Sequence, residues 1–424
     1  MEPPRISATA GVLAALILTS CSTDEEPQEL TAEVDYQPVA LSEATAIDDA
    51  VAASLATATE ILSQDSEPGE NTVISPASLS LALAMLAEGA EGPADEALSD
   101  FLGASDQDRR EAFSALQAAL GEYAGDPSVV EEDELPEVPV LHLANQLVMQ
   151  EGEEPDQEVL NNLGQYFDAG IVETDFASEE SKELLDSWVS ENTGGLIEES
   201  AIEAPDPEML FTLQNAVLFA AEWRAPFDPE RTDDLPFTTD SGEEVEAEMM
   251  RHDYGSVRYT EYDDAQIIRL PYSEGFAMDV VLPAEGHSPE EFTAEDWTAV
   301  DEAFAEEPTA EVELTLPKVE ARTDTALDGV LQDQGLGPIY SGDDLSPLGP
   351  VWVGTVNQQA VLAIDEEGTV AAAVTEIGMV SSAPGEEETE PVEMTVDRPY
   401  TLRIVHDETN LPLFMAVIND PTRE

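Results

Sequence analysis

Glu366-Glu367-Gly368-Thr369-Val370-Ala371-Ala372-Ala373-Val374 is the stretch on which the reading of this chain turns. Ahead of it, Ala360-Val361-Leu362-Ala363-Ile364 is an unbroken apolar run and reads as a buried strand. Behind it, Thr375 to Pro391 holds polar, small and acidic residues with two prolines and reads as an exposed loop. Between the two, Gly368 has backbone freedom denied to other residues and suits a hinge. Thr369 to Val374 are small or β-branched, with no charge and no proline. Such a segment tolerates solvent, yet it also fits inside a sheet without clash or buried charge. Composition leaves both readings open: a strand running into a flexible loop, or a segment able to become a strand itself.

Working outward, the chain of 424 residues is 42% hydrophobic, enough for a substantial core in one large domain or two or three smaller ones. Its 94 acidic and 14 basic residues give a formal net charge of -80, and its only lysines are Lys182 and Lys318. No basic patch exists to neutralise phosphates, which excludes nucleic acid as a partner. The acids are interspersed among periodic apolar positions rather than massed in blocks, so a folded, acidic-surfaced protein is expected rather than a disordered one. Such a surface suits a halophilic setting, because screening shortens to about 3 Å at 1 M salt.

Residues 1–21 read as a lipoprotein signal peptide. Arg5 supplies the positive start, Ala8 to Thr19 an apolar stretch too short for an ordinary spanning helix, and Leu18-Thr19-Ser20-Cys21 looks like a lipobox. The plainer alternative is a secretory signal with an incidental cysteine. Lipidation at Cys21 implies an extracytoplasmic protein touching the membrane through its anchor only. Cys21 is the sole cysteine, so no intrachain disulfide, thiolate metal site or cysteine nucleophile is available. Residues 22–41, acidic and polar with Pro27 and Pro38, read as a flexible tether.

The body alternates helical and strand patterns. Helix faces are marked by Ile47, Val51 and Leu55, and by Leu79, Leu83 and Leu86, with Ser75 placed to cap and Pro76 in a first turn. Further helices are expected over Ala94–Phe101, Arg109–Leu120, Glu158–Phe167, Glu179–Glu191, Pro289–Phe304 and Asp324–Gln334. Strands are expected over Val140–Met149, Ile171–Asp175, Leu210–Phe219, Phe276–Leu282 and Val312–Leu316, with Asp126 to Pro139 an acidic loop. Leu210–Phe219 is apolar almost throughout and should be central, covered on both faces. Helices first and strands later give an α+β class.

Enzyme chemistry finds no residues to stand on. His142, His252, His287 and His406 fall in no metal-ligand spacing, and no nucleophile elbow, phosphate loop or dinucleotide fingerprint occurs. With 94 carboxylates, acidic pairs carry no information about glycoside hydrolysis. Asp365-Glu366-Glu367-Gly368 resembles a fragment of a calcium loop without its remaining ligands. Neither a metal nor a cofactor is expected.

At this point the motifs converge on a family. Glu366-Glu367-Gly368-Thr369 with Ala371-Ala372-Ala373 resembles the hinge of the reactive-centre loop of inhibitory serpins. Asn71-Thr72-Val73-Ile74-Ser75-Pro76-Ala77-Ser78 resembles the serpin helix-opening motif, and Asn215 to Phe219 with Trp223 and Pro226-Phe227 the central strand and its breach tryptophan. Arg398-Pro399-Tyr400, Pro412 to Ala416 and Asn419-Asp420-Pro421 resemble the closing strands and terminal tag. The resemblance covers roughly residues 42–424 and implies a serpin domain of about nine helices and three β-sheets, with a reactive-centre loop at about 366–391. It further implies a monomeric suicide substrate of a serine protease: the loop is cut, inserts as a new central strand, and drags the acylated protease with it. The family's spacing puts the reactive bond at Ser382-Ala383, with Met379, Val380 or Ser381 as alternatives and an acidic insertion after Pro384. None of these is basic, which points to elastase-, subtilisin- or chymotrypsin-like targets, with a papain-like cysteine protease ranked below them. Ser75, Ser78 and Asn215 match the polar cluster under the sheet that governs its opening, with Gln358 where the family has a histidine. The alternative within the same fold is a non-inhibitory serpin acting as a binding protein or a mere substrate.

Overall fold

Phe211–Glu222 is the central strand that its apolar run predicts, and the domain is layered about it. The computed structural model describes residues 29–423 other than 31, 66–68, 132–134, 307, 342–343, 355 and 370–390. Among these, eight α-helices and two sheets make an α+β fold. The seven-stranded sheet runs in the order Glu29–Leu30, Ile171–Thr174, Val140–Gln150, Phe211–Glu222, Gly368–Thr369, Asn357–Ile364, Val319–Ala326. Its two faces are covered differently. Leu147, Met149, Phe211 and Phe219 point into the main core, which is shared with the fully buried helix Pro76–Leu86. Val148, one residue out of phase with Leu147 and Met149, joins Phe176, Leu185 and Ile202 in a small second core under the helix Glu179–Asn192.

The second sheet holds nine strands, Thr72–Ile74, Asp233–Thr238, Glu244–Tyr262, Ala265–Pro271, Phe276–Leu282, Thr309–Pro317, Val392–Thr395, Tyr400–His406 and Pro412–Ile418. Two separate sheets are expected here, but among the described residues they form one ladder. The reason is the 19-residue strand Glu244–Tyr262, which pairs with Asp233–Thr238 through its first residues and with Ala265–Pro271 through its last.

Local expectations need three further corrections. The helix expected from Asp324 starts at Asp328, because Val319, Ala321 and Thr325 are buried at alternate positions and make Val319–Ala326 a strand. The helix expected from Pro289 is a short turn, Pro289–Glu291, then Ala294–Ala305, which starts at a capping box of Thr293 and Asp296. The described part of the 22–41 tether is not loose. Glu29–Leu30 pairs with Ile171–Val172, Gln37 N donates to Gln165 O at 2.8 Å, and Val39 N donates to Ser114 Oγ at 3.3 Å. The physical cause is an otherwise open sheet edge, whose unpaired backbone groups accept a further strand.

Candidate functional site

The hinge is seated where the central strand ends. Three successive carbonyls, of Asp365, Glu366 and Glu367, each receive an N–H from the Trp223–Phe227 segment. Trp223 Nε1 donates to Asp365 O at 3.0 Å, Phe227 N to Glu366 O at 2.8 Å, and Trp223 N to Glu367 O at 2.7 Å. The Asp365 carboxylate closes the turn by accepting from Glu367 N at 2.9 Å and Gly368 N at 3.1 Å. Asp365 thus serves its own turn, a role that the calcium-loop likeness missed and that an aspartate three residues before a glycine could have signalled.

Glu366 is buried and doubly held: Lys318 Nζ lies 2.8 Å from Oε2, and Thr232 Oγ1 donates to Oε1 at 2.7 Å. Burial alone would push its carboxyl up; the hydrogen bonds from Lys318 and Thr232 outweigh that and hold it below its ordinary value. Its neighbour Asp365, where burial wins, is pushed the other way.

Gly368 and Thr369 form a two-residue strand antiparallel to both neighbours, Gly368 opposite Glu222, Thr369 opposite Ala221 and Ile364. The sequence gives Gly368 the role of a conformational hinge, but its φ is not left-handed and the need is for space. A Cβ there would lie 2.0 Å from Ala221 O. Thr369 is 1% exposed, and its hydroxyl shares a 2.5 Å hydrogen bond with Tyr272, whose ring stacks on Trp223 at 4.4 Å.

Below Thr369, no described residue takes the position between Phe211–Ala220 and Asn357–Ala363, and those two strands are not hydrogen-bonded to each other. A shallow, solvent-open hollow lies along it, lined by Val217, Phe219, Val361, Leu362 and Thr369 among others. A second lies at the far end between Ser78, Leu83, Leu213, Val356 and Gln358. At that end Gln358 grips the backbone of Ser75 twice: Ser75 N donates to Oε1 at 2.8 Å, and Nε2 donates to Ser75 O at 2.9 Å. Ser75 Oγ donates to Leu413 O at 2.7 Å and accepts from Ser78 N at 3.4 Å. Ser75, Ser78 and Gln358 are therefore brought together. Asn215 stands opposite Asn145 on the central strand, its side chain outside the described residues. Ala371, Ala372 and Ala373, the reactive-bond candidates Met379 to Ala383, and Cys21 also lie outside them.

A seven-stranded sheet with a strand position begun by two residues and otherwise taken by no described residue, its hinge pinned at the top and a polar knot at the bottom, defines a class of protein. The model of the family Serpin (serine protease inhibitor) matches residues 52–421, and the chain belongs to this family. An uncharacterized serpin-like protein of Methanosarcina acetivorans is 29% identical over 426 residues, 96% of this chain and 96% of its own length. Among solved structures, the thermophilic serpin tengpin in its native state gives a TM-score of 0.75 at 23% identity, covering 92% of this chain and 97% of its own. Human thyroxine-binding globulin complexed with its hormone gives 0.75 at 23%, covering 89% of this chain and 100% of its own. The fold is that of the serpins, whose general role is protease inhibition rather than catalysis.

Proposed function

We propose that this protein traps a serine protease by being cut in the segment after its hinge and inserting that segment into the seven-stranded sheet. The observation that carries the reading is the strand position already opened by Gly368 and Thr369. The protease serine attacks the carbonyl carbon of Ser382, or of a neighbour back to Met379, forming an ester to its oxygen and expelling the amine of the next residue. Freed at that end, residues from Val370 onward extend the ladder begun at Thr369. About fourteen residues at about 3.3 Å each carry the ester some 45 Å. An inward charge would oppose this, and Thr369, Ala371 and Ala373 carry none.

The targets we assign are elastase-, subtilisin- or chymotrypsin-like serine proteases, met outside the cytoplasm by a monomer that a lipid on Cys21 holds to a membrane. Incubation with such proteases and with papain, followed by denaturing gels, tests the reading. A covalent band at the summed mass supports it; clean cleavage without the band replaces it with the substrate or binding-protein reading. Ala371→Arg supplies the control, since residue 371 lies beyond the pair already seated in the sheet. A buried unpaired charge costs several kcal/mol, each 1.4 kcal/mol slows insertion about tenfold, and hydrolysis should then win. Cleavage at the same bond with no covalent band is expected; a full yield of complex would exclude insertion as the mechanism.

A further inference from the structure

Val140–Gln150 starts opposite Ala220, beside the hinge, and its Met149 stands opposite Phe211 at the far end of the sheet. Ile171–Thr174 runs parallel to it and Glu29–Leu30 antiparallel to Ile171–Thr174, so Glu29–Leu30 points from the far end toward the hinge. Register gives its level. Leu30 stands opposite Ile171, Ile171 opposite Leu147, and Leu147 opposite Leu213, eight residues before the Ala221 that faces Thr369. The residues that follow are seated on the domain. Glu33 N donates to Asn161 Oδ1 at 2.9 Å, Gln37 N to Gln165 O at 2.8 Å and Val39 N to Ser114 Oγ at 3.3 Å. Two glycines make room for them. A Cβ on Gly164, inside the helix Gln157–Phe167, would lie 2.3 Å from Ala32 Cβ, and one on Gly170 would lie 2.5 Å from Glu29 Oε1. A glycine inside a helix weakens it relative to alanine, and the seat for Ala32 is what offsets that cost here.

The same end carries an exposed tryptophan. Trp352 is 47% exposed, whereas Trp223 and Trp297 are buried and Trp188 is half-buried. Asn357–Ile364 runs from the far end up to the hinge, where Ile364 faces Thr369, and Trp352 precedes its start. The neighbouring Val353 and Gly354 line the far hollow together with Leu213, the residue level with Leu30. Eight residues lead from Cys21 to Glu29 and reach at most about 29 Å. We infer that residues 29–39 are a docked arm which, with Cys21 anchored, turns the Trp352 end of the domain to the membrane surface and the hinge end outward. The inference rests on the lipid assigned to Cys21 above and not on the inhibitory mechanism. Trp352 suits an interfacial contact, with an apolar ring and an N–H to offer a headgroup. Charge does not supply the attraction, because Glu153 lies beside Gly349 and Asp156 is bonded through its N–H to Pro347 O at this same end. The lipid gives the affinity; the arm and Trp352 give the orientation. The segment after the hinge is thereby offered to proteases arriving from solution.

In the test, the full chain is coupled through Cys21, its sole thiol, to a maleimide-headgroup lipid in phosphatidylcholine vesicles that also carry a dansyl-headgroup lipid. Energy transfer from tryptophan to dansyl reads which end faces the vesicle. Trp352→Phe should cut the transfer at least twofold, because Trp223 is held at the hinge end. Gly164→Leu fills the seat of Ala32 and should release the arm, seen as faster hydrogen exchange at Glu33 and Gln37, with transfer again at least halved. Asn161→Ala takes away the partner of Glu33 N and repeats the test without added bulk. A merely structural arm would change the melting midpoint and leave the transfer alone. Transfer that is unaffected by Trp352→Phe, or by an arm that exchange shows to be released, overturns the orientation. The mass of the protein isolated from its source cells reads the anchor itself. An unmodified Cys21 there overturns the anchored reading, whereas a vesicle result against Trp352 overturns the orientation, so the two failures are distinguishable.

Discussion

At the scale of single residues, the hinge depends on fit. A methyl group on Gly368 would meet a backbone carbonyl that cannot rotate away, so Gly368→Ala should push the two-residue strand out of the sheet. Hydrogen exchange of the 366–369 amides reads this directly, and undiminished protection would show the close approach to be dispensable. Thr369 and Tyr272 make a second test, through a double-mutant cycle. Thr369→Val leaves the buried Tyr272 hydroxyl without its partner and should cost about 1–3 kcal/mol, whereas adding Tyr272→Phe should recover most of it. Purely additive losses in urea melts would mean that the hydroxyls do not sense each other. The sequence showed that Thr369 is tolerable inside a sheet, since its size and β-branching are local properties. It could not show that Thr369 is already inside, because that depends on Tyr272, a residue far away in the chain.

At the scale of elements, the unforeseen feature lies inside Phe276–Leu282, the most apolar of its neighbouring strands. Asp279 is fully buried there, bound by Arg269 through both oxygens at 2.6 and 2.8 Å and by Arg403 Nε at 2.9 Å. Strand register stacks the three side by side, Arg269 opposite Asp279 and Arg403 opposite Asp279. Asp301, from the helix Ala294–Ala305, accepts from both arginines, and the Trp297 ring lies 4.4 Å from the Arg403 guanidinium. A lone aspartate in an apolar run carries no sign of its partners, because Arg269 and Arg403 reach it from two other strands. Arg403→Leu strips one cation from a carboxylate that no water reaches, and should cost about 3–5 kcal/mol in chemical unfolding. A loss under 1 kcal/mol would show that Arg269 alone satisfies Asp279. Periodicity did reveal the strands and helices themselves; it failed at Asp324–Ala326, the end of the strand Val319–Ala326, which was read as the start of the following helix.

At the scale of the whole molecule, charge decides how the protein answers to pH and salt. His406 is buried and His252 half-buried, and desolvation holds both below their ordinary value of 6.5. The unfolded chain therefore takes up protons first as pH falls through 6.5, and stability present above that value is lost toward the lower folded values. Melting midpoints should fall between about pH 7.5 and about pH 5.5, where carboxylates remain ionised, and His252→Gln should flatten the slope. A slope of opposite sign would mean that the histidines gain protons more readily when folded. Salt acts on the repulsion among the acids. The net charge of -80 places most acids beyond the reach of any cation, since the arginines and lysines are so few and Arg109, Arg110, Lys182, Arg269, Lys318 and Arg403 are already paired with particular carboxylates. The remaining repulsion acts over about 10 Å at 0.1 M salt and about 3 Å at 1 M, and folding draws those charges together. Sodium chloride from about 0.1 M to about 2 M should therefore raise the melting midpoint of the uncut protein by roughly ten degrees or more. Sucrose at equal osmolality favours burial without screening charge, so it should give a clearly smaller rise. Equal rises in salt and sucrose would mean that the acidic surface imposes no electrostatic load on the fold.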